Sequence, residues 1–291
     1  MAGSERVSRG LIGFRERSEY RMAASEQSIL HTVQNSMFEF PALPGRWDIL
    51  SFPGLRAHAT PGVDHPFGNM VGVSTLTQAN ADAAIAQVQD FFGKRGHVVG
   101  WWLNASSTPI DLVTRLEAAG FSKMVEQAGL VLTDLRHEIA CNPAVTVRRA
   151  TERDRADVVR LYAEAYPMPE ALASVYCEVV PLVDCGNHFL AYLDGVEGPV
   201  AVSSMFSPRG SSVMVMQGAA TLEAHRGRGT YTALMAARLA EARAMGKDAA
   251  VLQGDRKTSA PICVKLGFRE VCSVDFYAWS PTPGAKLDVH G

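Results

Sequence analysis

The chain has 291 residues, of which 47% are apolar and 20% charged, and its formal net charge is −2. This size and composition predict about two globular domains and exclude a disordered, collagen-like or coiled-coil protein as a description of the whole chain. Neither half carries the excess of basic residues that binding to a phosphate backbone requires, so we expect no nucleic-acid partner.

The cysteines and histidines give no sign of a metal site or of disulfides. The five cysteines form no CxxC pair, and the eight histidines show no ligand spacing. We therefore expect no metal and a reducing, cytoplasmic location.

No run of eighteen apolar residues exists, so we expect no membrane segment. Residues 1–25 are polar, lack the apolar core of a secretory signal, and are predicted to form a disordered tail, with Met22 as an alternative start.

The two halves of the chain repeat one order of elements. The first half reads as a helix over 80–94, a strand over 97–103, a helix over 110–119, and then Gly120-Phe121. The second half repeats this order and ends in Gly267-Phe268 before an extended stretch. Glycine suits the left-handed position after a helix, and the phenylalanine then begins a strand. The repetition indicates a duplication; the alternative is a chance match between two common patterns.

A polar stretch with Asn142-Pro143 interrupts the pattern and separates a domain over 26–140 from one over 141–291. In the second domain Thr151 and Asp154 have the spacing of a capping box. The predicted elements that follow are a strand at 145–149, a helix that Tyr166-Pro-Met-Pro169 ends, a helix at 170–180, strands at 188–193, 199–206 and 212–221 with a hairpin turn at 207–210, and strands at 249–253 and 269–279. Adjacent strands followed by helix–strand alternation predict a mixed sheet.

The chemically informative segment is Arg226-Gly-Arg-Gly229, between a strand that ends near Thr221 and a helix over 230–245. Its glycines allow backbone N–H groups to approach an anion, the helix start adds partial positive charge, and the arginines add charge-assisted hydrogen bonds. This pattern favours a pyrophosphate site; the alternative is a plain glycine-rich loop with solvated arginines. Neither a P-loop nor a complete GxGxxG fingerprint is present. Within the helix, Arg238 and two neighbouring charged residues lie off the apolar face.

Residues 145–280 resemble the GNAT family of N-acetyltransferases. The resemblance rests on Arg226-Gly-Arg-Gly229-Thr-Tyr231 between a strand and a helix, and on the later order Ser259-Ala-Pro261 and Leu266-Gly-Phe268. It implies an α/β (α+β) fold of two GNAT-like domains, each a mixed, mostly antiparallel twisted sheet flanked by helices. It also implies an enzyme that transfers acetyl from acetyl-CoA to a small-molecule or peptide amine by direct attack on the thioester.

The resemblance implies the residues that bind acetyl-CoA as well. The strand backbone would hold the pantetheine arm, and the loop and first helical turn would hold the pyrophosphate. These residues are Ala219, Ala220 and Thr221 for the arm, and Arg226, Gly227, Arg228, Gly229, Thr230, Tyr231 and Thr232 for the loop.

The catalytic positions depart from the family pattern. Tyr231 stands at the last Gly/Ala position of the motif, where it would crowd the phosphate or pack inward. Arg256 and Cys263 stand where the family often has Asn and the Tyr that protonates the leaving thiolate. Cys263 is a weak substitute acid or only a small buried side chain. Glu223 is a candidate base through a water, or a solvated loop carboxylate.

On the acceptor side the candidates are Tyr166, Glu164 and Glu170, whereas His225 is expected at the surface. An alternative function is a GNAT-fold module that binds acyl-CoA in a regulatory role with weakened catalysis, and a longer acyl group is a further alternative.

The first half resembles a degenerate GNAT repeat. It has no Arg-x-x-Gly-x-Gly motif between Val71 and Asp82, so we expect one CoA site in the chain. Trp101 and Trp102 point to opposite faces of a strand, which predicts one in the core and one toward the domain interface or an acceptor.

Overall fold

A computed structural model describes residues 24–166, 168–285 and 287. Most of the predicted tail, including Met22, therefore lies outside the described residues. Ser25, which the sequence placed in that tail, caps the first helix, since its hydroxyl oxygen accepts a hydrogen bond from the amide of Ser28 at 3.1 Å.

The described residues contain seven α-helices and eleven strands. The helices are α1 (Glu26–Asn35), α2 (Ala81–Gly93), α3 (Leu112–Ala118), α4 (Arg155–Ala165), α5 (Glu170–Val179), α6 (Thr230–Ala244) and α7 (Ser259–Lys265). The strands are β1 (Asp48–Phe52), β2 (Leu55–Ala59), β3 (Met70–Gly72), β4 (Val99–Asn104), β5 (Ser122–Leu132), β6 (Val145–Arg149), β7 (Asn187–Leu193), β8 (Pro199–Phe206), β9 (Val213–Thr221), β10 (Ala249–Asp255) and β11 (Arg269–Trp279). None of the helices in this part of the chain is long and apolar enough to cross a membrane.

The strands form one continuous sheet in the order β1-β2-β3-β4-β11-β5-β10-β9-β8-β7-β6. Two neighbouring pairs in this sheet, β3 with β4 and β9 with β10, are parallel, and the others are antiparallel. The predicted mixed, mostly antiparallel sheet flanked by helices is confirmed.

The two halves exchange their last strands. β5 lies between β10 and β11, while β11 lies between β4 and β5. Each half thus places its final strand beside the penultimate strand of the other half. The repeated helix–strand–helix–strand order of the sequence corresponds to this symmetric pairing. The boundary near residue 140 remains a prediction, and β5 on one side of it pairs only with β10 and β11 on the other.

Helices cover both faces of the sheet. One face packs against α1, α4 and α5, whose residues Val33, Tyr162 and Tyr176 belong to one buried cluster with Trp102 and Phe276 of both halves. On the other face, α6 and α7 cover the second half, and α2 and α3 cover the first half. Helix α1 contacts β5, β9, β10 and β11, so a segment of the first half packs over the centre of the sheet.

Capping residues in the sequence explain why the predicted boundaries of these helices agree with the structure. Thr151 and Asp154 form the predicted capping box before α4. Gly120 and Gly267 have φ angles of +87° and +94°, the left-handed conformation that the Gly-Phe pairs predicted after α3 and α7.

Candidate active site

The parallel strands β9 and β10 separate partway along their length. They pair only at three positions, which end with Val251 opposite Val215. Beyond that point β9 follows β8 as far as Thr221, and β10 follows β5 as far as Asp255. The register of β8 and β9 shifts near Ser204, and Gly218 has a φ of +57°. This irregularity turns β9 away from β10, and a cleft opens between them.

The glycine-rich loop closes one end of this cleft. Gly227 and Gly229 have φ angles of +72° and +84°, so both glycines are required by the backbone. The first hydrogen bond of α6 runs from the amide of Ala233 to the carbonyl of Gly229 at 3.0 Å, so the amides before Ala233 are left for other acceptors. The hydroxyls of Thr221 and Thr230 lie 3.1 Å apart and join the end of β9 to the start of α6.

A cavity of about 1190 Å³ fills the cleft between β9, β10 and this loop. Nine of the ten residues that the sequence assigned to acetyl-CoA line it: Ala219, Ala220, Thr221, Arg226, Gly227, Gly229, Thr230, Tyr231 and Thr232. Arg228 is exposed and does not line the cavity; its carbonyl accepts a hydrogen bond from the side-chain amide of Asn142 at 2.9 Å.

Two cations in the wall of this cavity are free of ion pairs within the described part of the chain. None of the ion pairs among the described residues includes Arg226, Arg228 or Lys257, although Arg226 and Lys257 line the cavity. Arg256 and Lys123, in contrast, are engaged with acidic side chains. Unpaired cations beside free amides at a helix start make this rim suitable for a polyanion such as a pyrophosphate.

Two smaller cavities continue inward from the cleft. The middle cavity, of about 190 Å³, shares Ala219, Tyr231 and Asp255 with the large cavity. The inner pocket, of about 90 Å³, shares Tyr166 and Gln217 with the middle cavity. The three cavities therefore lie in a row that leads from the glycine-rich loop into the interior.

Tyr231, in the first turn of α6, connects this helix with Cys263 of α7. The Tyr231 ring packs inward, and its hydroxyl lies 3.1 Å from the Cys263 sulfur. Cys263 is buried and does not line any of the three cavities, whereas Tyr231 lines both the large and the middle one. Burial raises the pKa of Tyr231 well above its usual range, and burial also raises the pKa of the Cys263 thiol.

Two carboxylates line the large cavity: Glu126, which is ion-paired with Lys123 and Arg256, and Asp255, which also lines the middle cavity. Asp255 ends β10. One oxygen, Oδ1, accepts hydrogen bonds from the amides of Lys257 (2.8 Å) and Thr258 (2.9 Å) and from the Thr258 hydroxyl (3.1 Å). These bonds fix the orientation of the carboxylate, and its other oxygen takes part in none of them. Asp255 was not among the residues predicted from the sequence, where its position at the end of a strand and before a helix was the available signal.

Arg238 is buried, which corrects its placement off the apolar face of α6. It is 1% exposed and lines the middle cavity. Its guanidinium donates to the carbonyls of Ser204 (2.9 Å) and Gln217 (3.4 Å), which lie where β9 departs from regular pairing with β8. These carbonyls provide the acceptors that a buried guanidinium needs. Arg238 lies four residues after Leu234 and seven after Tyr231, so helical spacing itself places this side chain on the apolar face of α6.

The other candidate residues lie away from the cavities. Glu223 is exposed in a 3-10 turn and does not line the large cavity, and Glu164 and Glu170 are exposed on α4 and α5. Their assigned roles remain predictions. His225 is half-buried, with its Nδ1 atom lacking a hydrogen-bond partner. The described His, Cys, Asp and Glu residues form no group that could hold a metal ion.

The corresponding region of the first half differs from the β9–β10 cleft. After β3 and β4 pair, the chain pairs again through a bridge between Thr75 and Thr108, and the Leu76 amide donates to the Thr108 carbonyl at 3.3 Å. Trp101 is buried there, with its indole N–H donating to the Ser74 hydroxyl at 3.0 Å. Trp102 points to the opposite face and lines the inner pocket.

Comparison with known proteins places this geometry in a fold class. No protein-family model matches the sequence, and no curated protein matches it. Among solved structures, a GCN5-related N-acetyltransferase from Kribbella flavida is similar over 89% of this chain and 96% of its own, with a TM-score of 0.65 and 18% identity. A tandem GNAT protein from the clavulanic acid biosynthesis pathway is similar over 91% of each chain, with a TM-score of 0.57 and 15% identity. A GCN5-related N-acetyltransferase from Sphaerobacter thermophilus covers 80% of this chain and 82% of its own, with a TM-score of 0.58 and 13% identity.

The chain has the GNAT fold, as the sequence motif implied. The likeness extends over nearly the whole length of the chain, and a tandem arrangement of two GNAT-like halves is consistent with it.

Proposed function

We propose that the protein is an acetyl-CoA-dependent N-acetyltransferase with one cosubstrate site, in the cleft between β9 and β10. The observation that carries this proposal is the cavity itself: nine residues assigned from the sequence motif line it together, beside free helix-start amides. The bridge between Thr75 and Thr108 in the first half supports a single site per chain.

In the proposed reaction, an amine nitrogen attacks the acetyl carbonyl carbon, and the carbon–sulfur bond breaks. The nitrogen loses one proton and the sulfur gains one, so the products are an amide and a free thiol. Backbone amides where β9 and β10 separate would stabilise the developing oxyanion.

We further propose that Asp255 and Tyr231 transfer the two protons, because both side chains line the large and middle cavities. Asp255 would accept the proton from nitrogen. Tyr231 would donate to sulfur, because its side chain lines both cavities, whereas Cys263 lines neither. The roles predicted for Glu223 as a base and for Cys263 as an acid remain the competing assignment.

Calorimetry with acetyl-CoA tests the site. Gly227→Glu puts a carboxylate where the pyrophosphate would lie, and we expect at least a tenfold loss of affinity. Gly195→Glu is the matched control, because Gly195 also has a positive φ (+77°), is exposed, and has no neighbour within 4 Å of an added Cβ. Equal affinities of the two variants would remove the site assignment.

The regulatory alternative is favoured by the Cys at position 263, where the family often has Tyr. Release of free thiol in the presence of a panel of amines separates the two functions. Transfer to any amine supports the enzyme, whereas tight acetyl-CoA binding without transfer to any of them supports the binding module.

A further inference from the structure

The inner pocket is built by both halves of the chain. Seven aromatic residues line it: Phe40, Trp47, Phe67 and Trp102 from the first half, and Tyr162, Tyr166 and Tyr176 from the second. The rings are held in place by one another. Trp47 stacks on His58 with centroids 4.0 Å apart, and Phe40 meets Trp47 edge-on at 6.0 Å.

No charged side chain lines this pocket among the described residues. A carboxylate, phosphate or second ammonium placed there would lose its hydration without gaining an opposite charge, which is strongly unfavourable. The pocket therefore selects against ligands that carry charge on the part that enters it.

Three polar atoms of the pocket wall lack a hydrogen-bond partner among the described residues. They are the indole N–H of Trp47 and the side-chain oxygens of Gln127 and Gln217, all buried. The orientation of the Gln217 amide is set by its nitrogen, which donates to the sulfur of Met37 at 2.9 Å. Buried polar atoms without partners are rare in native proteins. The unpaired indole N–H and the two unpaired amide oxygens therefore indicate a ligand that offers one hydrogen-bond acceptor and two donors.

The positions of these three atoms determine which end of the ligand lies in which cavity. Gln127 and Gln217 line the middle cavity as well as the inner pocket, whereas Trp47 lines only the inner pocket. The N–H groups of the ligand thus belong near the middle cavity, with the carboxylate of Asp255 and the buried Arg238, and its oxygen belongs deeper. An apolar cavity of about 150 Å³ holds a benzene-sized guest. A ring that enters the inner pocket of about 90 Å³ therefore also occupies part of the adjoining cavity of about 190 Å³, and the two together have room for one ring and a short chain.

We propose that the acceptor is a primary amine on a short chain attached to an uncharged aromatic ring that bears an oxygen, with the oxygen-bearing end of the ring in the inner pocket and the amino group at Gln127 and Gln217. This inference rests on the proposed acetyl transfer, whose acceptor it defines. The acetyl group passes to the amino nitrogen, the thiol of CoA is released, and one proton leaves the nitrogen. A hydrocarbon acyl chain in the same pocket would leave the three polar atoms unpaired.

Tyramine is the probe, and three relatives isolate the features of the pocket. Phenethylamine lacks the oxygen, an analogue of tyramine with a ring carboxylate in place of the hydroxyl puts a charge on the end that enters the inner pocket, and spermidine replaces the ring by further charges. At a fixed concentration of acetyl-CoA, we expect kcat/KM for tyramine to exceed that for the ring carboxylate and for spermidine by about 100-fold or more. We expect phenethylamine to lie about tenfold below tyramine. The ring carboxylate or spermidine used as well as tyramine overturns the proposal, as does transfer to other amines only.

Two variants test the glutamines. Gln127→Met and Gln217→Met keep the length of the side chain and remove the acceptor, so KM for tyramine should rise about tenfold, with acetyl-CoA affinity unchanged. Gln89→Met is the control, since Gln89 is also half-buried but bonds the Ala119 carbonyl, away from the three cavities. An unchanged KM in both pocket variants overturns the proposal.

The failure of the proposed function and the failure of this inference are distinguishable. If acetyl-CoA does not bind the wild-type protein, the acetyltransferase proposal fails. Quenching of tryptophan fluorescence by tyramine still reports on the pocket, because Trp47 and Trp102 lie in its wall. Quenching that saturates, and that Gln217→Met weakens, supports the pocket assignment. Absence of saturable quenching contradicts it.

Discussion

At the scale of single residues, Tyr231 lines both the large and the middle cavity, and its hydroxyl lies 3.1 Å from the sulfur of buried Cys263. If Tyr231 protonates the leaving thiolate, Tyr231→Phe should lower kcat by about 100-fold, with acetyl-CoA affinity retained. Steady-state thiol release measures this. Cys263→Ala is the control, and it should change kcat only a few-fold because the hydroxyl remains. The opposite pattern would assign the acid role to Cys263.

A second residue-scale consequence concerns pH and stability. His188 is buried; its Nε2 faces the Cys177 carbonyl and its Nδ1 faces the Tyr162 hydroxyl, each at 3.3 Å. Since a carbonyl only accepts, Nε2–H donates to it and the tyrosine hydroxyl donates to Nδ1. Burial lowers the pKa of His188 to about 4 and that of His58 to about 3, from 6.5 in both cases. Both histidines are therefore neutral in the folded protein at neutral pH.

The unfolded chain binds more protons than the folded one at these two histidines as pH falls below about 6.5. Stability is thus complete above that pH and is lost as pH falls toward about 4. Each histidine should remove about 2 kcal/mol from the free energy of unfolding between pH 7 and pH 5. Urea titrations at both pH values measure the loss. His188→Asn should show a smaller loss than the wild type, and an equal loss would contradict the assignment.

At the scale of elements, a hydrogen-bond network holds the irregular part of β9. The Ser204 hydroxyl donates to the Gln217 carbonyl at 3.1 Å and lies 2.7 Å from the Tyr176 hydroxyl, which therefore donates to it. Arg238 bonds the same Gln217 carbonyl. This network sets the point where β9 leaves β10, and with it the position of all three cavities.

Gly218 lies inside this network. At a φ of +57°, a Cβ added there would lie 3.0 Å from the Tyr176 hydroxyl and 3.2 Å from the Tyr162 hydroxyl. We expect Gly218→Ala to lower the free energy of unfolding by about 2–3 kcal/mol, through backbone strain and crowding together. Gly195→Ala has the strain without the crowding and should cost about 1 kcal/mol. Denaturant unfolding of both variants checks this, and equal losses would show that the crowding is relieved without cost.

The sequence was most informative where local chemistry decides the structure. Strands β6 and β8 lie at the predicted residues, and the capping box at Thr151 and the glycines of the phosphate loop adopt the expected conformations. Helix α1 and strands β1 to β3 were not predicted. Strand β3 has only three residues, and the pairing of β2 places polar His58 in the core, where it is buried against Trp47. Short or mixed-polarity segments give too little periodicity for prediction.

Parts of the site escaped prediction for a different reason. Gln127, Gln217 and Asp255 come from three strands that meet only after the sheet has formed, so no spacing in the sequence connects them. The same holds for Trp47, which reaches the pocket from the first half. The cosubstrate loop was predictable because its residues are consecutive, whereas the inner pocket depends on tertiary pairing.

At the scale of the whole molecule, the strand exchange makes the two halves depend on each other. In a fragment over 141–291, β11 would lose both of its neighbours, β4 and β5, and β10 would lose β5. The inner pocket would lose the part of its wall that the first half provides. Unpaired strand edges and an uncovered apolar face destabilise a sheet protein.

We therefore expect the intact chain to unfold in one cooperative transition, and fragments 1–140 and 141–291 to be unstable alone but to associate one to one when co-expressed. Calorimetry and size-exclusion chromatography measure both. The control is a chain cut in place at a protease site inserted near Cys141, in an exposed connection. It breaks the backbone without removing a strand, so the two pieces should stay together. If the fragment over 141–291 alone matched the melting temperature and acetyl-CoA affinity of the intact chain, β11 would have to pair directly with β10, and the exchange would be dispensable.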